Sequence, residues 1–218
     1  MTVVVLAGGP GLPATVDVPP GATVIAADGG AEHAAAFGLR VDLLVGDLDS
    51  ISAETLAGID RVERHPAAKD ATDLELALEA ALRLAPDRVL VVGGGAGRLD
   101  HLFGELLLLA SESWAGVQVD ALLGDAEVNV IRGSRTLAGE PGELLSLFAL
   151  HGPARGIVTE GLRYPLHGET LEPGSSRGVS NVFAAGEARV SVERGVVVAV
   201  RPTCRRSDRP PSTPVSAP

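Results

Sequence analysis

The sequence predicts an α/β fold in which a mostly parallel, Rossmann-like sheet flanked by helices is followed by a small antiparallel β-sandwich domain. Up to residue 124, short apolar segments alternate with amphipathic helical segments, as in βαβ units. From residue 125 the segments are short, β-branched and interrupted by Gly and Pro, without a helical period. Because 45% of the residues are hydrophobic and only 3% are aromatic, the core must consist mainly of aliphatic side chains and alanine.

The individual elements follow from these patterns. Strands are predicted at residues 3–6, 23–27, 42–45, 88–92 and 117–123, with short helices at 31–37 and 53–56. One helical face is predicted for Leu74, Ala77, Leu78, Ala81, Leu82 and Ala85, and a second for Leu99, Leu102, Phe103, Leu106, Leu107 and Ala110. In the second half, strands are predicted at 127–131, 144–149, 156–159, 188–192 and 196–200.

These elements divide the chain into an α/β domain at residues 1–124, a β-sandwich domain at 125–203 and a disordered tail at 204–218. The net charge of -10 argues against nucleic acid as a partner. The only cysteine, Cys204, excludes an intramolecular disulfide and a cysteine metal cluster. No basic leader or membrane-spanning segment is recognisable, which favours a cytoplasmic location without membrane association.

Four acidic motifs stand where predicted strands lead into helices. They are Asp28-Gly29-Gly30-Ala31, Gly46-Asp47-Leu48-Asp49-Ser50, the segment 69–75 and Gly97-Arg98-Leu99-Asp100-His101. The carboxyl ends of parallel strands meet at one edge of a sheet, so these side chains are expected to gather there. Carboxylate oxygens suit Mg²⁺, which brings substrate phosphates with it. The motifs therefore predict an enzyme that acts on a nucleotide.

The second and third motifs also have structural interpretations. The carboxylates of Asp47 and Asp49 can both point towards the open end of the sheet, or the two residues can belong to a solvated turn. The stretch Thr72-Asp73-Leu74-Glu75 is a capping box, and Asp73 in the first turn suits the helix dipole. The capping box does not account for Lys69 and Asp70 just upstream. These two residues are reasonable candidates for binding phosphate and a metal ion.

The fourth motif and the second domain add ligand-binding candidates. Arg98, beside loop glycines, can pair with phosphate oxygens, whereas Asp100 is either functional or a helix N-cap. In the second half, small polar residues surround a few aromatic ones at 161–166 and 174–183, as in a pocket for a flat heterocycle. A Gly/Ser-rich turn between strands is the alternative explanation for that stretch.

Taken in order, the motifs resemble those of the thiamine pyrophosphokinase (thiamin diphosphokinase) family over residues 1–201. The shared motifs are Asp-Gly-Gly at 28–30, Gly-Asp-x-Asp-Ser at 46–50, Asp-x-Thr-Asp at 70–73, Arg-x-Asp-His at 98–101 and Gly-Val-Ser-Asn at 178–181. The resemblance implies transfer of pyrophosphate from ATP to the hydroxyl of thiamine, giving thiamine diphosphate and AMP. Two local departures are Leu48, where many members have Phe, and Glu32, where Asn is common.

The resemblance also implies roles for single residues. Asp47, Asp49 and Asp70 would hold Mg²⁺ on the ATP phosphates, supported by Asp73. Lys69 and Arg98 would neutralise transition-state charge, and Asp100 would contact the thiamine hydroxyl or act as its base. Asp28, Gly29 and Gly30 would line the nucleotide side. Ser180 and Asn181 would meet the aminopyrimidine, with Phe183 stacking on it and Tyr164 as a second candidate.

The family further implies a homodimer whose thiamine sites combine the catalytic domain of one subunit with the β domain of the other. Two alternative functions stay open on the sequence. One is a pyrophosphokinase for another hydroxymethyl heterocycle, such as a pterin. The other is a nucleotide-binding regulator that has lost catalysis, and a simple nucleotide hydrolase is a weaker third possibility.

Overall fold

The computed structural model describes residues 1–202. The strands are β1 (Thr2–Leu6), β2 (Thr23–Ala27), β3 (Leu43–Gly46), β4 (Val62–Arg64), β5 (Arg88–Gly93), β6 (Gln118–Leu123), β7 (Ala126–Ile131), β8 (Ser134–Ala138), β9 (Leu144–Ala149), β10 (Ala154–Glu160), β11 (His167–Leu171), β12 (Asn181–Val182), β13 (Glu187–Ser191) and β14 (Val197–Arg201). The helices are α1 (Gly30–Ala36), α2 (Ala53–Ala57), α3 (Asp73–Leu82) and α4 (Leu99–Leu109). The tail predicted to be disordered, 204–218, lies outside the described residues. Within the described part, no helix has the length and apolar character needed to cross a bilayer.

A ten-stranded sheet in the order β12-β9-β14-β7-β6-β5-β1-β2-β3-β4 runs through the molecule. From β6 to β4 all neighbours are parallel, whereas from β6 to β12 they are antiparallel. The change occurs at Gly124-Asp125, where a two-residue turn with Gly124 at φ 57 returns the chain as a hairpin. The mixed α/β class is confirmed, but the large sheet does not end at residue 124: it continues into the second half of the chain through the antiparallel strands β7, β14, β9 and β12.

A second, antiparallel sheet has the order β11-β10-β13-β8. Its apolar side chains share one buried cluster with those of the antiparallel end of the large sheet, including Leu137 and Ile157 on one side and Leu147 and Val197 on the other. One layer of the predicted sandwich is therefore an extension of the large sheet. The large sheet continues across residue 124 through the pairing of β6 with β7. The division into two domains at this residue therefore stays a prediction.

The central parallel strands β1, β2 and β5 are buried on both faces, as helices on both sides of the sheet require. Val3 and Val5 of β1 belong to one apolar cluster, and Val4 and Leu6 belong to another. The predicted face of α3 covers the first cluster, with Leu74, Ala77, Leu78 and Ala81 all buried. The period-3.6 pattern thus identified this helix correctly.

The predicted face of α4 is only partly buried, which corrects the expectation that it lies in the core. Leu109 and the following Ala110 are buried, but Leu99 is 78% exposed and Phe103 is 60% exposed. The N-terminal half of α4 therefore projects beyond the sheet with its apolar side uncovered among the described residues.

Gly30 has a packing role at the start of α1. A Cβ at this position would lie 2.0 Å from the carbonyl oxygen of Leu6. We expect Gly30→Ala to lower the free energy of unfolding by about 1–3 kcal/mol, because strand and helix must separate to admit the methyl group. Urea unfolding measures this, with Gly116→Ala as the control because a Cβ there meets no atom within 4 Å. Equal stability of both variants would contradict the close packing.

Candidate active site

The loops at the carboxyl ends of the parallel strands enclose a pocket of about 710 Å³. Its walls come from the loops after β1, β2, β3 and β5 and from the N-terminal ends of α3 and α4. β1 and β5 are neighbours in the sheet, and the chain proceeds from them in opposite directions along it. Such a point, where the strand order reverses, leaves a crevice in which open α/β sheets bind ligands.

Three carboxylates gather at this end of the sheet. Asp28, Asp47 and Asp73 each offer an oxygen within 4.8 Å of the others. Asp28 follows β2, Asp47 follows β3 and Asp73 begins α3, so adjacent elements bring them together. Gly46, at φ 151, permits the approach, because a Cβ there would lie 3.0 Å from the Cβ of Asp28. The group offers hard oxygen ligands suited to a divalent cation.

Lys69 compensates part of this negative charge. Its ammonium lies 2.8 Å from Asp73 Oδ1 and 3.3 Å from Asp47 Oδ2, and the side chain is largely buried. Its hydrogen bond to Asp73 raises the pKa of Lys69, which therefore stays charged. The backbone N–H of Asp49 donates to Asp47 Oδ1, and this bond, with the contribution of Lys69, lowers the pKa of Asp47. Both groups are ionised at neutral pH.

The two other predicted ligands lie outside the carboxylate group. Asp49 is exposed and accepts a hydrogen bond of 2.7 Å from the hydroxyl of Ser50. Asp70 is exposed as well. The structure thus brings together Asp28, Asp47 and Asp73 instead of Asp47, Asp49 and Asp70. The sequence order of β2 and β3 was the available signal for Asp28, because consecutive strands usually lie side by side.

Arg98 and Asp100 form a two-bond ion pair at the mouth of the pocket. Arg98 Nε and Nη2 donate to the two carboxylate oxygens at 3.2 and 2.6 Å. The hydrogen bond from Arg98 lowers the pKa of Asp100 to about 2. Arg98 occupies the N-cap position of α4 without a side-chain cap, so the alternative of Asp100 as N-cap is not what the structure shows.

Two glycine-rich loops pack backbone to backbone beside this pair. The N–H groups of Gly95 and Ala96 donate to the carbonyls of Gly11 and Pro10, both at 3.1 Å. A Cβ at Gly94 would lie 2.2 Å from the carbonyl oxygen of Pro10. Gly29 also lines the pocket. Only glycine allows the loops after β1 and β5 to approach this closely.

Glu32, one of the two departures from the family pattern, has a structural position in this chain. Its carboxylate accepts the N–H of Ser52 at 2.7 Å and the hydroxyl of Thr55 at 2.9 Å. The backbone hydrogen bond from Ser52, followed by the side-chain bonds, lowers the pKa of Glu32. Through these hydrogen bonds Glu32, which lies on α1, links α1 to the N-terminus of α2.

A second pocket, of about 420 Å³, lies in the β half beside Tyr164, Leu166 and the segment 175–181. Tyr164 is 54% exposed and Ser180 is also exposed. Ser180 adopts φ 57 and donates its N–H to Ser146 Oγ at 3.1 Å. An aromatic ring and hydroxyl groups thus line an open cavity, the combination expected for a flat heterocycle.

Asn181 lines this second pocket, whereas Phe183 does not. The Asn181 amide is buried, donating to the carbonyl of Tyr164 at 2.7 Å and accepting its N–H at 3.0 Å. Phe183 is 1% exposed and packs against Gly139 in the sandwich core. Its ring has no open face for a ligand, so the stacking role is not supported here. Alternation along a strand could not reveal this, because β12 is only two residues long.

Comparison with known proteins agrees with this architecture. The family profile described as "Thiamin pyrophosphokinase, catalytic domain" matches residues 21–125, and "Thiamin pyrophosphokinase, vitamin B1 binding domain" matches 131–197. The thiamine pyrophosphokinase of Bacillus subtilis (strain 168) is 25% identical over 172 residues, which cover 72% of this chain and 77% of that protein.

Solved structures share the whole fold. The crystal structure of thiamine pyrophosphokinase from Bacillus subtilis superposes with a TM-score of 0.82 at 24% identity, covering 94% of this chain and 100% of that one. A thiamin pyrophosphokinase family protein from Enterococcus faecalis gives 0.80 at 26% identity, with 94% and 100% coverage. The two profiles match in order and together span both halves of the molecule. The chain therefore belongs to the thiamin pyrophosphokinase family.

Proposed function

We propose that this protein is a thiamine diphosphokinase, which transfers pyrophosphate from ATP to the hydroxyl of thiamine and releases AMP. The observation that carries the proposal is the ordered match of both the catalytic and the vitamin B1 binding profiles. The large pocket adds chemical support, since Asp28, Asp73 and Arg98 line it at the ends of parallel strands and Lys69 is paired with Asp73.

We infer that Asp28, Asp47 and Asp73 hold Mg²⁺, because their oxygens converge and Mg²⁺ prefers such ligands. When bound, Mg²⁺ supplies positive charge to the phosphate oxygens. Asp49 and Asp70 stay predicted ligands on the family resemblance alone. Both are exposed.

Lys69 and Arg98 are the cations that would meet the phosphates. Lys69 is held between Asp47 and Asp73, and Arg98 lies in the pocket wall. Charge redistributes over the phosphoryl oxygens during transfer, and preorganised cations stabilise that charge. Asp100 keeps the Arg98 guanidinium oriented through two hydrogen bonds.

The second pocket is our candidate for thiamine recognition. Ser180 and the exposed ring of Tyr164 line it, while Asn181 holds the Tyr164 backbone. We propose a homodimer, as the family implies, with the uncovered Leu99 and Phe103 of α4 as apolar surface available to a partner subunit. The Rossmann-like description of the parallel strands, the cytoplasmic location and the lack of nucleic-acid or membrane partners also stay proposals.

Tyr164→Ala is expected to raise the KM for thiamine about tenfold and to leave the KM for ATP nearly unchanged, because an aromatic stacking contact is lost. Steady-state kinetics with each substrate varied measures both constants. Arg163→Ala, at the neighbouring exposed position, is the matched control. A change confined to the ATP dependence would place thiamine elsewhere.

The activity itself is tested by incubating the purified protein with ATP, Mg²⁺ and thiamine and separating the products by chromatography. We expect thiamine diphosphate and AMP in equal amounts, and neither product when thiamine is omitted. AMP or ADP formed without thiamine would indicate a hydrolase. If thiamine is not converted, a hydroxymethyl pterin is the next acceptor to assay.

A further inference from the structure

Helix α4 presents one polar face to the large pocket. His101, Glu105 and Leu108 line the pocket at helical spacing, and Leu102 lies beside them. Residues four apart on a helix are neighbours on its surface, so Glu105 lies one turn below His101. Glu105 is thereby deeper along the helix than the Arg98–Asp100 pair at the helix start.

Glu105 is half-buried and forms no hydrogen bond or ion pair with any residue in the part of the chain that the structure describes. Burial removes water from its carboxyl group and raises the pKa of Glu105 to about 7. A carboxyl group placed in a pocket without a partner is costly to the fold, and such groups are concentrated at functional sites.

The charged surroundings of Glu105 are those of the pocket. Asp28 follows β2, Asp73 and Glu75 lie on α3, and the opposite wall carries Arg98, Asp100 and His101. The guanidinium of Arg98 is already paired with Asp100, and Asp73 is paired with Lys69. No cation among the described residues forms an ion pair with Glu105. A bound ligand can therefore change the pKa of its carboxyl group.

Three of the other carboxylates that line the pocket, Asp28, Asp73 and Asp100, are poorly suited to accept a proton. Asp100 forms two hydrogen bonds with Arg98, and this pairing lowers its pKa to about 2. Asp28 and Asp73 belong to the proposed Mg²⁺ group. General base catalysis works best when the pKa of the base lies near the working pH. Where the environments of two carboxyl groups give them different pKa values, the two groups often have different catalytic roles.

We propose that Glu105 is the general base for the acceptor hydroxyl, an assignment that rests on the proposed pyrophosphoryl transfer. The Glu105 carboxylate accepts the hydroxyl proton as the acceptor oxygen forms a bond to the β-phosphorus of ATP. The bond between that phosphorus and the oxygen bridging to the α-phosphorus breaks, and AMP leaves with the electron pair. Glu105 then returns its proton to water. Gly104 next to it leaves open space, since a Cβ there meets no atom within 4 Å.

Glu105→Gln tests the assignment, because it keeps the size of the side chain and removes the proton acceptor. We expect the single-turnover rate of thiamine diphosphate formation to fall about 100-fold or more, with both KM values changed less than about threefold. In the wild type this rate should rise with pH through about 7, because the carboxylate form is the active one. In Glu105→Gln this rise of the rate with pH should be absent.

Glu79→Gln is the matched control, since Glu79 is an exposed carboxyl group on α3 outside the pocket. Its rate and pH profile should equal those of the wild type. Carbon-13 NMR of glutamate-labelled free protein gives a readout independent of turnover: one carboxyl resonance should titrate near pH 7 and be missing in Glu105→Gln. Thermal unfolding of the variants verifies that both are folded.

A Glu105→Gln rate within threefold of the wild type would overturn the proposal. A variant that changes only the thiamine KM would overturn it too, because it would assign Glu105 to binding. If the rate of Glu105→Gln still rose with pH through about 7, the proposal would also be overturned. If the wild type forms no thiamine diphosphate at all, the proposed function itself fails and this assignment falls with it. Those two failures are distinguishable in the same assay.

Discussion

Replacing Asp47 with Asn is expected to lower kcat by roughly two to three orders of magnitude, the size of effect seen when a preorganised electrostatic group is lost. The amide keeps the shape of the side chain but removes its negative charge. Asp47 lies within 4.8 Å of Asp28 and Asp73, so the remaining pair would hold Mg²⁺ more weakly. Titrating Mg²⁺ at saturating ATP and thiamine should show a higher Mg²⁺ requirement together with the lower kcat.

Asp60→Asn is the control, because Asp60 is exposed and, within residues 1–202, pairs only with the exposed Arg40. Asp28→Asn and Asp70→Asn distinguish the two ligand sets. A large loss for Asp28→Asn with a small one for Asp70→Asn supports the carboxylates that the structure gathers. The reverse order supports the set implied by the family resemblance. Near-normal turnover of Asp47→Asn would contradict both.

Asp120→Ala is expected to cost about 3–5 kcal/mol of unfolding free energy, because it leaves buried charges without their partner. Asp120 on β6 is 4% exposed and lies 3.0 Å from Arg88 on β5 and 2.6 Å from Arg135 on β8. Asn129 on β7 donates to the same carboxylate at 3.0 Å. Since β8 belongs to the second sheet, this carboxylate joins the two sheets.

Urea unfolding at pH 7 measures the loss, with Asp60→Ala as the control at about 0–1 kcal/mol for an exposed pair. Burial by itself raises the pKa of Asp120, but hydrogen bonds from Arg135 and Asn129 outweigh it, so the pKa is lowered. The stabilisation is therefore complete above the unfolded-state pKa of about 4 and is lost as the pH falls through the lower folded-state value.

The difference between wild type and Asp120→Ala should consequently shrink on acidification. A difference that stays constant down to pH 2 would show that Asp120 acts through packing instead of charge. Activity per folded molecule should be nearly normal, because Asp120 does not line the large pocket.

The strongly patterned elements could be predicted from the sequence. Strands β1, β2 and β5 are continuous apolar runs, and α3 has its apolar residues on one face and a capping box. Strands β4, β8, β11 and β12 were not predicted, since they are short or polar and carry no clear alternation. The conformation of β4, β8 and β12 depends on pairing with strands that are distant in sequence, whereas β11 pairs with the preceding strand β10.

The sequence by itself determined the mixed α/β class, the family and the end of the sheet where the acidic motifs gather. Local periodicity and short motifs carry that information, because they depend on neighbouring residues. The tertiary structure alone decided that Asp28 joins Asp47 and Asp73, that Phe183 is buried, and that the Glu105 side chain has no partner within residues 1–202. Each depends on which elements pack side by side and which faces lose contact with water, and such long-range contacts leave no local pattern in the chain.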